Sequence, residues 1–311
     1  MHRTPDQDDD HLLTAIAGEF DLGRVIGATP LAGGGAEVLR LSTDRGEYVI
    51  KRPWDPLDVE LASAVEARLN QQGIRQARQH RTRGGGLIGS TGHAVQELLP
   101  GAIVDRPTTA QTTNLIIHLA AYDRALSVIE PPPALAARDT IWSRVVRTDY
   151  LLEHLPSLIT RYAPDWLDPA SIGPLLAALE AGADALAAEP IQLVHGDLGP
   201  DNVLYEGDEV VALIDFTPFH ETVLLGLASA IYFFQLHGAS PTATQLSNSI
   251  DLYGSASGDL DTGVAWTALV RESLRRLATT LAVAEERGTP PADRMARRRY
   301  EAAVRLAATL P

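Results

Sequence analysis

Apolar residues between positions 24 and 52 come in short runs separated by turn formers, and the pattern predicts three strands, at 25–31, 37–42 and 48–51. Gly33-Gly34-Gly35 divides the first two and Asp44-Arg45-Gly46 the second pair. A short amphipathic helix over 11–20 precedes them, and the polar residues 1–10 read as a loose tail. From Asp55 the period changes. Leu57, Leu61, Val65 and Leu69 recur every four residues, which marks one buried helical stripe. Asp55 suits the N-cap and Pro56 the first helical position, with Asp58 in the first turn; Gly73 ends the helix. Two more strands are expected at 74–83 and 93–98, around Gly84-Gly85-Gly86.

Pro100-Gly101 breaks this pattern, and the chain beyond it is mostly helical: 113–129, 140–162, 172–188, 224–237, 244–253, 266–287 and 300–310. Only the stretch 193–216 interrupts the helices with strands. The expected architecture is α+β in two lobes: a small β-rich lobe over 1–99, a hinge near 96–101, and a larger helical lobe over 100–311. There are no internal repeats.

The interruption reads LVHGDLGPDNVLYEGDEVVALIDF. Val203-Leu204-Tyr205 and residues 210–214 are apolar β-type runs joined by the polar turn EGDE at 206–209. Folding this as a hairpin centred between Gly207 and Asp208 sets Asn202 across from Leu213, with Asp215 just beyond. Asn202 and Asp215 then reach one cation, and Asp197 lies in the loop feeding the first strand. Oxygen ligands of this kind suit magnesium, which takes few protein groups and shares its other positions with phosphate and water. The order H-x-D-L-x-x-x-N, with Asp-Phe after the next strand, is the spacing of a kinase catalytic loop and its metal aspartate. Turn chemistry alone also uses Gly, Pro, Asp and Asn. An upstream glycine-rich hairpin ending in YVIK makes the combination specific.

Composition narrows the field. The chain has 311 residues, 45% hydrophobic and 21% charged, which is ordinary globular usage. No apolar run approaches the ~20 residues of a membrane span, and the acidic start is no signal peptide, so a cytoplasmic protein is expected. The absence of cysteine excludes a disulfide framework and thiolate zinc, and FHETV at 219–223 is not HExxH. A net charge of −14 argues against a nucleic-acid partner; Arg75, Arg78, Arg81 and Arg83 read as a solvated face. The acid excess is −3 over residues 1–100 and −11 over the remainder. It serves solubility or attracts a cationic ligand, with Asp149, Glu153 and Glu221 as candidate contacts. Lys51, the last residue of YVIK, is the only lysine in the chain. The triple glycine does not match G-x-G-x-x-G, which sets aside a Rossmann reading.

These residues resemble the aminoglycoside phosphotransferase and choline kinase-like superfamily, relatives of protein kinases that act on small molecules. HGDLGPDN at 195–202 and IDF at 214–216 carry the resemblance, supported by LAGGGAEVLRLSTDRGEYVIK at 31–51 and AVQELLPG at 94–101. It spans roughly residues 12 to 290. Gly196 in place of the protein-kinase arginine, Thr217 in place of glycine after Asp-Phe, and the missing APE motif favour a small-molecule acceptor over a protein. Two positions depart from the family pattern. Gly199 stands where histidine is common. Gly226, in Gly226-Leu227-Ala228, stands where an aspartate braces the catalytic loop.

The resemblance implies a two-lobed protein kinase-like fold and an ATP- and magnesium-dependent transfer to a hydroxyl, with GTP not excluded as donor. Asp197 is expected to orient the acceptor hydroxyl and take its proton, and Asn202 and Asp215 to hold magnesium. Lys51 is expected on the α- and β-phosphates, held by Glu60, with Glu66 as the alternative. Gly34 and Gly35 are expected over the nucleotide, and the backbone near Glu97 and Leu99 against the purine. His195 is expected to pack the loop. The acceptor is an aminoglycoside-like antibiotic or an amino or sugar alcohol metabolite such as homoserine, and the protein a monomer or homodimer with no nucleic-acid or membrane partner. The second reading is a nucleotide-binding pseudokinase serving as a regulatory module.

Overall fold

The computed structural model describes residues 7–31, 38–162, 167–258, 260–291 and 293–311. The chain divides into two compact units. Unit 1 comprises Met1–Val104 together with Asp201–Gly207 and Val211–Phe216, and unit 2 the rest.

In unit 1, α1 (Gln7–Glu19) precedes β1 (Val25–Pro30), β2 (Val38–Thr43) and β3 (Gly46–Lys51). After α2 (Pro56–Gln71), β4 (Ala94–Glu97) completes an antiparallel sheet in the order β1-β2-β3-β4. Leu13, Ile16, Ala17 and Phe20 of the α1 segment bury against Leu41, Ile50 and Val95 of the sheet. Helix α2 starts as its sequence dictates. The Asp55 carboxylate accepts from the Leu57 N–H at 2.9 Å, and Val59, Leu61, Ala62, Val65 and Leu69 are buried.

Residues 74–83 form no strand; only an isolated bridge joins Gln79 to Gln96. The His80 N–H still donates to the Val95 carbonyl and the Glu97 N–H to the Arg78 carbonyl, but other backbone groups a ladder needs are taken elsewhere. The Gln76 N–H donates to the Asn70 side chain, that of Gln79 to Glu66, and that of Arg83 to the Glu19 carbonyl. The arginines of this segment are all exposed.

A second sheet of unit 1 explains why the hairpin groups with the N-terminal residues. β5 (Ala102–Ile103) pairs with β7 (Val203–Glu206), and β7 neighbours β8 (Glu209–Leu213). Ala77, Leu99, Leu204 and Ala212 form one buried cluster. Gly101, at φ 103°, lies so close to this hairpin that a Cβ would stand 2.7 Å from Val211.

Unit 2 is helical: α3 (Thr109–Leu126), α4 (Pro133–Ala136), α5 (Ile141–Val145), α6 (Thr148–Tyr162) and α7 (Gly173–Ala187), then α8 (Leu224–Ile231), α9 (Ala243–Ser257), α10 (Thr262–Arg287) and α11 (Asp293–Ala307). The single helix expected over 140–162 is two. Asp149, in the first turn of α6, holds the Arg147 guanidinium and accepts from the Tyr150 N–H. β6 (Ile191–His195) pairs antiparallel with β9 (Pro218–Thr222), a strand the apolar pattern does not announce. The buried α10 packs against α6, α7, α8 and α11. Contrary to the sequence expectation, one described stretch, Pro169–Ala187, is long and apolar enough to cross a membrane by composition. Leu175, Leu179 and Leu186 of its helical part are buried inside unit 2.

Candidate active site

Within unit 1, β3 is registered by Val38 opposite Lys51 on one side and Ala94 on the other. This fixes Lys51 at the strand end, and its Nζ lies 2.6 Å from Asp215 Oδ1. The lysine side chain is 18% exposed and the aspartate 60%. Asp215 comes after β8 with φ 54°, the left-handed region that aspartate tolerates better than most residues because its short side chain can bond locally. The Ile214 N–H donates to the Asn202 carbonyl at 2.9 Å, so Asn202 and Asp215 share one end of the hairpin. Asn202 is nearly buried in a 3₁₀ turn, Pro200–Asn202. One amide and one carboxylate are a donor set that fits magnesium, which keeps most of its coordination for water and phosphate.

The expected lysine partner on α2 is not seen among the described residues. Glu60 is exposed, because the inward face of α2 is apolar throughout. Glu66 is half-buried and accepts from the Gln79 N–H at 3.2 Å; burial pushes its carboxyl up. Gly34 and Gly35 lie outside the described residues. The Glu97 N–H donates to the Arg78 carbonyl, its carboxylate faces Arg75 at 3.4 Å, and the Leu99 side chain is buried against the hairpin.

Within unit 2, β6 delivers His195, Gly196 and Asp197. His195 is fully buried near Tyr122, and the Asp197 N–H donates to its Nδ1. Gly196 is required sterically, since a Cβ there would stand 1.9 Å from the Phe219 ring of β9. The same ring explains why the loop has no arginine at this position. Arg276 of α10 donates to Asp197 Oδ1 at 2.8 Å, to Glu272 at 2.6 Å and to Ser229 Oγ at 2.8 Å, and its guanidinium lies 4.3 Å from the Phe233 ring centre. Arg275 holds Glu272 and donates to the Gly196 carbonyl at 3.2 Å. Burial pushes the Asp197 carboxyl up, but Arg276, with Arg275 and His195 adding to it, holds the group below the usual carboxylate range. Fully buried Glu272 is likewise held down against its desolvation by the two arginines.

Sequence reasoning missed this α10 cluster. The signal was RESLRR at 271–276, charges inside an otherwise apolar helix. At Gly226, a Cβ would lie 3.6 Å from Asp123 of α3, so an aspartate there would face a second carboxylate. The buried Asp123 accepts from Tyr253 at 2.8 Å, and burial raises its pKa to about 8.

The acids proposed to attract a cation all have basic neighbours. Asp149 holds Arg147, Glu153 lies 3.8 Å from His154, and Glu221 lies 3.3 Å from buried Arg271. Glu221 also lines a cavity of about 390 Å3, with Arg138, Asp139, Arg144 and His220 among its walls. The cavity adjoins β9, whose Phe219 covers Gly196, the residue before Asp197.

The family model for the phosphotransferase enzyme family matches residues 27–226. The chain belongs to that family. It is 30% identical over 220 residues to a homoserine kinase of Methylocella silvestris, a match covering 66% of this chain and 63%, under two thirds, of the relative. The choline kinase LicA from Streptococcus pneumoniae superposes with a TM-score of 0.64 at 15% identity, over 96% of this chain and 100% of the other. The amicoumacin kinase hAmiN, in complex with AMP-PNP, Ca2+ and Ami, gives 0.65 at 17% identity, over 95% and 93%. The GDP and kanamycin complex of an aminoglycoside phosphotransferase gives 0.65 at 15%, over 96% and 98%. The fold is thus that of the protein kinase-like phosphotransferases, and the family and these relatives point to a small-molecule kinase.

Proposed function

We propose that the protein transfers the γ-phosphoryl group of ATP, with magnesium, to the hydroxyl of a small hydroxylated amino acid of the homoserine type. The observation carrying the phosphotransfer reading is the Lys51–Asp215 contact, which brings YVIK and IDF together. Lys51 pairs with phosphate oxygens, and Asn202 and Asp215 hold the metal. Bound magnesium would supply positive charge that neutralises the phosphates there. Asp197 accepts a hydrogen bond from the acceptor hydroxyl. As the new O–P bond forms and the bond to ADP breaks, the hydroxyl proton passes to Asp197 and then to solvent. Transfer of this kind is loose, so the protein contributes mainly by orienting groups.

The acceptor class rests on two observations. The curated relative is a homoserine kinase. The cavity beside β9 mixes arginines with carboxylates, which suits a zwitterion better than a polycation. The reading places the protein in the cytoplasm, where both substrates occur.

The experiment is a phosphorus-NMR assay of ATP, and of GTP alongside, with homoserine, its decarboxylated amino alcohol, choline and an aminoglycoside. Phosphohomoserine formation at the highest kcat/KM is the expected result. Turnover of the amino alcohol or the aminoglycoside in preference to homoserine would remove the zwitterion reading. Nucleotide binding with no phosphorylated product from any acceptor would leave the regulatory module.

A further inference from the structure

We propose that Arg276, anchored by Glu272, is the positioning residue that holds Asp197 in its working orientation; this rests on the phosphotransfer reading above. Asp197 sits in a loop with its side chain 47% exposed. Arg276 is only 7% exposed and Glu272 is fully buried. Each edge of the guanidinium has a partner: Nε on Glu272, one terminal nitrogen on Asp197, the other on Ser229. Its face lies on Phe233. A planar fork with three partners and a stacked face has one orientation, which it imposes on the Asp197 oxygen it touches. Arg275, on the second oxygen of Glu272, holds the neighbouring Gly196 carbonyl. One helical turn of α10 therefore sets both the carboxylate and the backbone that carries it.

The charges support a positioning role. Asp197 and Glu272 face Arg275 and Arg276, two of each sign. Among the described residues, His195 on its own loop and Arg299 of α11 also act on Asp197. Arg299 donates to the Arg276 carbonyl and to Thr280, and burial brings it down to about 10. Removing Arg276 leaves Glu272 still bonded to Arg275 through both oxygens, so no buried carboxylate is stranded. The variant Arg276→Met is therefore expected to fold, with its thioether under Phe233.

The test compares the parent protein with Arg276→Met and Arg276→Lys. Misplacement of a reacting group by about 1 Å costs on the order of 10²-fold. Arg276→Met is expected to lose about that factor in kcat, with acceptor KM, nucleotide affinity and melting temperature nearly unchanged. Arg276→Lys keeps one charged bond but not three, and should fall between. A carbon-13 titration of labelled aspartate carboxyls provides a readout that needs no turnover. Asp197 should titrate below the usual range in the parent and move upward in Arg276→Met. Parental kcat in the methionine variant overturns the proposal. So does a kcat loss that tracks nucleotide affinity and melting temperature, and so does an Asp197 signal indifferent to the change. If the parent phosphorylates no hydroxyl, the phosphotransfer reading fails, while the carboxyl titration still decides whether Arg276 controls Asp197.

Discussion

Lys51 and Asp215 are 164 residues apart in the chain and 2.6 Å apart in space. The lysine comes from the last position of a strand pinned on both sides. The aspartate comes from a hairpin end in the left-handed region. On the proposed reading a single ammonium at this point serves a carboxylate and a phosphate in turn, because its three donors rotate freely.

Replacing Lys51 by arginine keeps the charge and removes that geometry. Lys51→Arg should lower kcat/KM by about tenfold or more, about 1.4 kcal/mol of transition-state stabilisation. Steady-state kinetics at saturating magnesium check this. Parental kinetics would mean that the lone lysine is an accident of composition.

If Asp215 holds the metal as proposed, Asp215→Ala removes one of two protein oxygen ligands and should raise the magnesium concentration needed for half-maximal nucleotide binding. Fluorescent-nucleotide titration against magnesium is the measurement. An unchanged midpoint would reduce Asp215 to a hairpin-end residue paired with Lys51.

Asp197→Asn should abolish most turnover, by about 10²–10⁴-fold, while Mg-ATP affinity holds. The amide can still meet Arg276 through its oxygen, so folding should survive. Retained turnover would take Asp197 out of the reaction.

Gly196→Ala should be harmful out of proportion to one methyl group. The added Cβ meets the Phe219 ring, which packs beneath the loop and cannot retreat as a flexible side-chain end would. An overpacking cost of about 1–3 kcal/mol is expected, with turnover falling as Asp197 is displaced. A melting temperature and kcat both equal to the parent's would mean the ring gives way.

Asp123 makes stability depend on pH. Its folded pKa, about 8, lies above the ordinary carboxyl value of 3.8 because of burial, despite the Tyr253 bond. The folded state thus binds the proton more tightly than the unfolded state. This contribution is complete below pH 4 and is lost as pH rises towards 8, at about 1.4 kcal/mol per unit. Asp123→Asn cannot ionise and keeps an acceptor for Tyr253. It should match the parent near pH 5 less closely than at pH 4, and exceed it clearly at pH 8 in denaturant melts. Parallel pH profiles for the two proteins would exclude Asp123 as the titrating group.

The strand ends and turns that carry the motifs were legible in the sequence because they are local. HGDLGPDN, IDF and YVIK each set a strand end or a turn, and such signals depend on near neighbours. The α2 stripe was legible for the same reason. What depends on distant chain was not. Periodicity left open whether Glu60 or Glu66 meets the lysine, and neither is its described partner. The N–H groups of Gln76, Gln79 and Arg83 go to Asn70, Glu66 and Glu19, which no strand propensity foresees. Arg276 reaches Asp197 across 79 residues, so its role emerges only once α10 is placed beneath the loop.

The hairpin that completes unit 1 is made late. A ribosome releases residues 1–104 long before Leu204 and Ala212, and until then Ala77 and Leu99 have no cover and β5 has no neighbouring strand. The amino-terminal unit is discontinuous in the gene's order. It closes only after α3 to β6 have emerged. Vectorial synthesis, which lets many proteins finish their first domain first, works backwards here. An excised 1–104 fragment would be an unfinished unit with Ala77 and Leu99 uncovered, whereas a chain stopped just after Phe216 has every segment of unit 1.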